Sequence, residues 1–170
     1  MKIRRQLIIP FTLIGLLILI PTYSLVINYF KSASTISLKS TLSEVKLFSH
    51  NGKIVNIKDF KDTPTLLFFG FTHCPEVCPT TLSNLLNNIE LLQKNKKNYR
   101  VLFVTLDPER DTENILNDYL KNFNSSVIGL TGKINEINKF AKNWNIYWEK
   151  VSEGDDYTIN HTATVFMINK

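Results

Sequence analysis

Cysteine is scarce in this chain of 170 residues: there are only two, Cys74 and Cys78. Two are too few for a disulfide-stapled scaffold, and a bridge between residues so close closes almost no loop, so little stability would come from it. Two thiols also cannot close a structural zinc site, which needs four ligands. No basic stripe is present either. Net charge is +5, but Lys2, Arg4 and Arg5 supply three of those charges ahead of an apolar run, leaving +2 for the rest. Nucleic-acid binding is therefore not expected. The lysines within Gln93-Lys94-Asn95-Lys96-Lys97-Asn98 read as a solvated helix end. There is no internal repeat and no low-complexity tract. Close pairing of the cysteines points instead to chemistry at sulfur.

Charge is wholly missing from Leu7 to Phe30, a run of 24 residues. That length suffices for a helix to cross a hydrocarbon core of about 30 Å. The basic cluster ahead of it sets the N-terminus in the cytoplasm by the positive-inside rule. A cleaved signal peptide is the competing reading, with Ser32-Ala33-Ser34 as a loose cleavage site, but its apolar region is usually shorter. No cysteine follows the run closely enough for lipid modification. The expected organisation is residues 1–30 as cytoplasmic N-terminus and transmembrane anchor, residues 31–44 as a linker, and residues 45–170 as one folded domain. That domain would face the periplasm, on an inner membrane, or the mitochondrial intermembrane space in a eukaryote.

The remainder alternates strand and helix. Residues 46–49 and 53–56 flank Asn51-Gly52, a hairpin signal. Residues 65–71 and 100–106 are continuous apolar runs, as in strands buried on both faces. Between them, Leu82, Leu85, Leu86, Ile89 and Leu92 fall on one helical face, with Pro79 in the first turn. A second helix is expected over 112–123 with Ile115, Leu116, Tyr119 and Leu120 inward. A short strand at 127–130 precedes a third helix carrying Ile134, Ile137, Phe140, Ala141 and Trp144. Residues 146–151 and 163–168 read as strands, with residues 152–156 as a loop. This order implies an α/β sandwich around a mixed sheet. Phe68, Phe69, Phe71, Phe103 and Phe140 have core spacing, and Trp144 and Trp148 are expected to be partly buried.

The stretch Gly70-Phe71-Thr72-His73-Cys74-Pro75-Glu76-Val77-Cys78-Pro79-Thr80-Thr81-Leu82 lies at a strand-to-helix junction. Cysteines four apart there share one face of a helical turn, and a helix N-terminus favours thiolate. Such a pair can exchange with a disulfide or bind a soft metal; copper(I) suits two thiolates, and an added imidazole also supports copper(II). The third donor is open between His73 and His161, while His50 reads as exposed.

Three blocks of the sequence resemble the SCO/SenC family of copper-binding, thioredoxin-like proteins associated with cytochrome c oxidase assembly. They are residues 70–82; Asp107-Pro108-Glu109-Arg110-Asp111-Thr112; and Tyr157-Thr158-Ile159-Asn160-His161-Thr162-Ala163. The resemblance covers roughly residues 45–170, and an N-terminal anchor is usual in the family. It implies a thioredoxin-like fold and copper (Cu+ or Cu2+) held by Cys74, Cys78 and His161. The implied role is a metallochaperone that delivers copper to the dinuclear site on the copper-bearing subunit of cytochrome c oxidase. Asp107 would tune the ligands from behind, or simply cap a turn before Pro108. Asp111 reads as the start of a helix, and Glu109-Arg110 as a solvated or locally paired turn. Asn160 stands where the family commonly has an acidic residue. The chain ends at Lys170, so the usual C-terminal strand and closing helix are expected to be lacking.

Two other functions fit the same residues. One is a membrane-anchored thiol–disulfide oxidoreductase acting on partner cysteines, with Cys74 and Cys78 as its redox pair. Against a general version, the spacing is wide, and His161-Thr162 stands where such enzymes usually place a cis-proline. A peroxidase lacks any separate motif. The other is a membrane-tethered binding module without copper.

Overall fold

The computed structural model describes residues 21–23, 45–60, 62–93, 99–123 and 126–168. Almost all of the apolar run, the linker and the lysines at positions 94–97 lie outside the described residues. Among the described residues no helix is long and apolar enough to cross a membrane. The chain divides into two compact units, Met1–Ser37 and Leu38–Lys170; the elements below belong to the second.

A hairpin comes first: β1 (Leu47–Ser49) and β2 (Ile54–Val55) pair antiparallel around Gly52, whose φ of 77° is the left-handed turn conformation that glycine adopts without strain. A 3₁₀ turn (Ile57–Phe60) buries Ile57 and Phe60 and leads into β3 (Thr65–Gly70). The chain then forms α1 (Val77–Gln93), β4 (Arg100–Thr105), α2 (Glu113–Leu120), β5 (Val127–Thr131) and α3 (Ile134–Asn143). The last three strands are β6 (Trp148–Glu153), β7 (Asp156–His161) and β8 (Val165–Ile168).

Six strands make one mixed sheet in the order β2-β1-β5-β4-β3-β8. Strands β3, β4 and β5 are parallel and joined through helices, while β1 and β8 run antiparallel to their neighbours. The apolar runs become the centre: Leu67, Phe68 and Phe69 on β3 and Val101 to Val104 on β4 are all buried. Each large side chain so buried contributes about 1.5–3 kcal/mol of hydrophobic stabilisation. Helix α1 packs by Leu82, Leu86 and Ile89, with Leu85 half-buried at the margin.

Several expectations are corrected. Helix α2 stops at Leu120, because Lys121, Asn122 and Phe123 turn back onto the last carbonyls and the Asn122 amide caps Tyr119 O at 3.0 Å. Its inward line is Leu116 and Leu120, so Ile115 lies off that line and is exposed; Ile134, in the first turn of α3, is exposed likewise. Trp144 is fully buried against Phe140 and Phe166, whereas Trp148 is half-buried. The largest correction concerns residues 146–161. The loop expected at 152–156 contracts to a tight turn at Gly154 (φ 63°), and residues 156–161 form β7, paired with β6 as a separate two-stranded sheet. Half-buried Tyr157, buried Ile159 and half-buried His161 alternate with exposed Asp156 and Asn160 and a half-buried Thr158, close to the two-residue period of a strand with one covered face.

Candidate functional site

Strand β3 delivers the cysteine loop to the C-terminal end of the parallel strands, where Leu106 N–H bonds Gly70 O at 2.8 Å. Cys74 lies in the turn before α1 rather than within it, correcting the shared helical face inferred from spacing, and Cys78 is the helix's second residue. The Cys78 N–H donates to Cys74 Sγ at 3.4 Å. Cys74 sulfur thus takes the place of an N-capping oxygen at the first turn of the helix.

The thiols differ in exposure. Cys74 is half-buried, whereas Cys78 is wholly buried and both are free. Cys78 packs so closely on Gly70 that a Cβ there would lie 2.8 Å from its sulfur and 2.7 Å from the Phe103 ring. Burial pushes the Cys78 thiol up to about 12; a backbone hydrogen bond at Phe71 opposes this, and the Cys74 thiol beside it adds to it.

His161, the last residue of β7, brings Nε2 to 4.0 Å from Cys78 Sγ. Its Nδ1 lies 3.1 Å from Thr162 O, so Nδ1–H donates to that carbonyl and Nε2 keeps a lone pair facing the sulfur. Phe68 and Phe71 meet the imidazole edge-on at centroid distances of 6.5 and 6.1 Å. Burial lowers its pKa, only partly offset by the Thr162 bond, which keeps the ring in the neutral form that binds metals. His73 is exposed and turns Nδ1 to the Thr72 hydroxyl at 3.2 Å. His50, expected to be exposed, is half-buried, and its Nδ1 accepts Gly129 N–H at 3.1 Å.

Asp107 is fully buried just beyond β4. It accepts Arg110 Nε–H at 2.5 Å and Tyr157 O–H at 2.9 Å. Its carboxylate therefore bonds the strand that carries His161, and its carbonyl also closes the turn by accepting Asp111 N–H at 2.8 Å. Asp111 was not anticipated. Rather than simply starting a helix, its fully buried carboxyl accepts Thr72 N–H at 2.9 Å, Thr72 Oγ1–H at 2.5 Å and Thr105 Oγ1–H at 2.6 Å. It ties the cysteine loop to the end of β4, while Thr112 takes over as helix cap. Burial raises the Asp111 pKa against the lowering effect of those three bonds. The only signal in sequence was a second aspartate four positions after Asp107.

Two thiols and a neutral imidazole are a soft-to-borderline donor set, suited to copper, and Cys74, Cys78 and His161 could supply it. The 4.0 Å gap between Cys78 and His161 is shorter than a metal–sulfur plus a metal–nitrogen bond, about 2.3 and 2.0 Å for zinc. Among the described residues, however, no three His, Cys, Asp or Glu side chains are already gathered around one metal position.

A parallel β–α–β core, a dithiol at a helix N-terminus and an imidazole delivered by a late strand define a thioredoxin-like protein with a thiol–imidazole site. The SCO1/SenC family model matches residues 34–170, and the chain belongs to that family. A SCO2-like protein of Rickettsia prowazekii is 37% identical over 128 residues, covering 74% of this chain and 62% of the relative. The chain thus spans less than two thirds of that relative's length. Among solved structures, the copper-bound ScoI of Bradyrhizobium japonicum is 40% identical with a TM-score of 0.68, covering 72% of this chain and 79% of that one. The copper-bound ScoI of Arabidopsis thaliana is 35% identical with a TM-score of 0.71, covering 75% and 81%.

Proposed function

We propose that this chain is a copper chaperone that takes one copper ion as cargo on Cys74, Cys78 and His161. Delivery is to the dinuclear copper site of cytochrome c oxidase, on the oxidase's copper-bearing subunit. The observation that carries the reading is the neutral Nε2 of His161 aimed at the buried Cys78 sulfur. Transfer proceeds by ligand exchange, the acceptor's donors replacing these one at a time. The half-buried Cys74 is the sulfur an incoming donor reaches first. Membership of the family supports the choice of copper and of the oxidase. Residues 1–30 serve as the anchor and 31–44 as the linker, which hold the domain 45–170 at the outer face of an inner membrane beside its acceptor.

The test is metal stoichiometry on the full chain in mild detergent, with both thiols reduced under anaerobic conditions. One copper per chain is expected, reduced in Cys74→Ala, Cys78→Ala and His161→Ala. A folded, fully reduced chain that takes up no copper sinks the reading.

A second reading, a thiol–disulfide oxidoreductase, has one observation in its favour. Cys74 is half-buried at a helix N-terminus and Cys78 is buried behind it, an asymmetry suited to an attacking and a resolving thiol. Disulfide reduction that proceeds unchanged in copper-free His161→Ala would favour it.

A further inference from the structure

The donors of the site sit on different parts of the fold. The thiols follow β3, in the main sheet, whereas His161 ends a hairpin that shares no strand pairing with that sheet. Two strands alone are marginally stable in water. The hairpin's place over Cys78 therefore depends on its side-chain contacts to the rest of the domain.

At the end remote from His161 these contacts gather on Arg110. Its Nε–H donates to the buried Asp107, and Nη1 donates to Tyr157 O and to Asp156 Oδ1, both at 3.0 Å. The guanidinium lies 3.8 Å from the centroid of the Tyr157 ring. Lys150 Nζ lies 4.4 Å from the same ring and pairs with Glu109. Tyr157 O–H closes the circuit on Asp107. The Asp156 carboxylate is exposed, so that pair is screened and contributes little. The fully buried Asp107 and the ring are the effective partners. Tyr157, Ile159 and His161 occupy alternate positions of β7, so one face of the strand carries the anchor, a buried aliphatic and the imidazole in a row.

The geometry points to Arg110 and Tyr157 as positioning residues that hold His161 over Cys78 and so set how readily a bound copper loses its imidazole donor. The second half of this rests on Cys74, Cys78 and His161 being the copper ligands; the clamp itself does not. Arg110→Gln removes the charge, while Tyr157→Phe keeps the ring and removes only the hydroxyl bonded to Asp107.

In the copper-free full chain, hydrogen exchange at β7 is expected to quicken about tenfold in Arg110→Gln, with β3 and β4 protection unchanged. Arg110→Lys should recover part of the protection. With Cu(II) bound, release to a chelator should quicken about tenfold in Arg110→Gln, and the nitrogen coupling in the electron paramagnetic resonance spectrum should weaken. In the His161→Ala background the same substitution should add nothing.

Exchange at β7 equal to wild type overturns the proposal, whatever the chain binds. So does equal acceleration of release with His161 absent, because the clamp would then act on something else. A wild-type chain that takes up no copper sinks the ligand reading and the release claim with it, while quickened β7 exchange still supports the clamp. If Arg110→Gln loses β3 and β4 protection as well, Tyr157→Phe and Arg110→Lys decide by the same comparison.

Discussion

Cys78 Sγ and His161 Nε2 stand 4.0 Å apart although 83 positions separate them in the chain. One comes from the first turn of a helix, the other from the last residue of a hairpin, and neither reaches the other by local geometry. Around the pair, Phe68 and Phe71 pack edge-on against the imidazole and Gly70 packs against the sulfur.

The contact at Gly70 leads to the first expectation. Gly70→Ala places a methyl group 2.8 Å from Cys78 Sγ and 2.7 Å from Phe103, both fully buried, so that one of them must shift. Overpacking of this kind costs about 1–3 kcal/mol. Chemical denaturation should show that loss, and thiol alkylation should show Cys78 more accessible than in wild type.

The buried thiol makes stability fall in alkali. Cys78 is held up to about 12 against an ordinary value of 9.0. Between those values the unfolded chain has lost the proton that the folded chain keeps, so the unfolded state binds fewer protons and stability declines as pH rises. The contribution is fully present below about pH 9. Cys78→Ser should flatten the decline in denaturation midpoints measured from pH 8 to 11, because a serine hydroxyl does not ionise there. An identical slope in the variant would remove Cys78 as its cause.

How much of this was legible beforehand depended on distance along the chain. Strands β3 and β4 and the dithiol loop were readable because a continuous apolar run and a four-residue spacing are local signals. Strand β7 was not, since only Ile159 among its residues is fully buried, and its partner β6 is largely exposed. Spacing alone left His73 and His161 level; the choice came from the family resemblance, and in the structure His161 Nε2 lies 4.0 Å from Cys78 Sγ while His73 turns to the Thr72 hydroxyl. Asp111 was assigned to a helix start because its partner Thr72 lies 39 positions away.

At Asp111 the outcome should depend on shape more than charge. Asn can accept from Thr72 N–H and Thr105 Oγ1–H with its one oxygen and turn its amide toward the Thr72 hydroxyl. Asp111→Ala leaves those donors buried without an acceptor, at about 1–3 kcal/mol for each unsatisfied group. Equilibrium denaturation should rank wild type and Asp111→Asn close together and Asp111→Ala well below. Alanine as stable as asparagine would show that the three bonds contribute nothing net.

The two faces of α2 provide a paired check. Leu116 is fully buried and Ile115 exposed. Leu116→Ala should cost about 2–5 kcal/mol as a cavity opens in the core. Ile115→Ala should stay within about 0.5 kcal/mol of wild type. Thermal denaturation of the two variants side by side distinguishes this placement from the reverse.

Strand β3 is flanked by β4 on one side and by β8, among the last residues described, on the other. While the chain is being made, the strand that leads into the cysteine loop therefore keeps one bare edge until Val165–Ile168 has emerged. Bare strand edges recruit other chains. The dithiol is thus complete before either its imidazole or its flanking strand exists. A nascent chain therefore passes through an interval of open thiols and an unpaired edge, set by the order in which its strands are made.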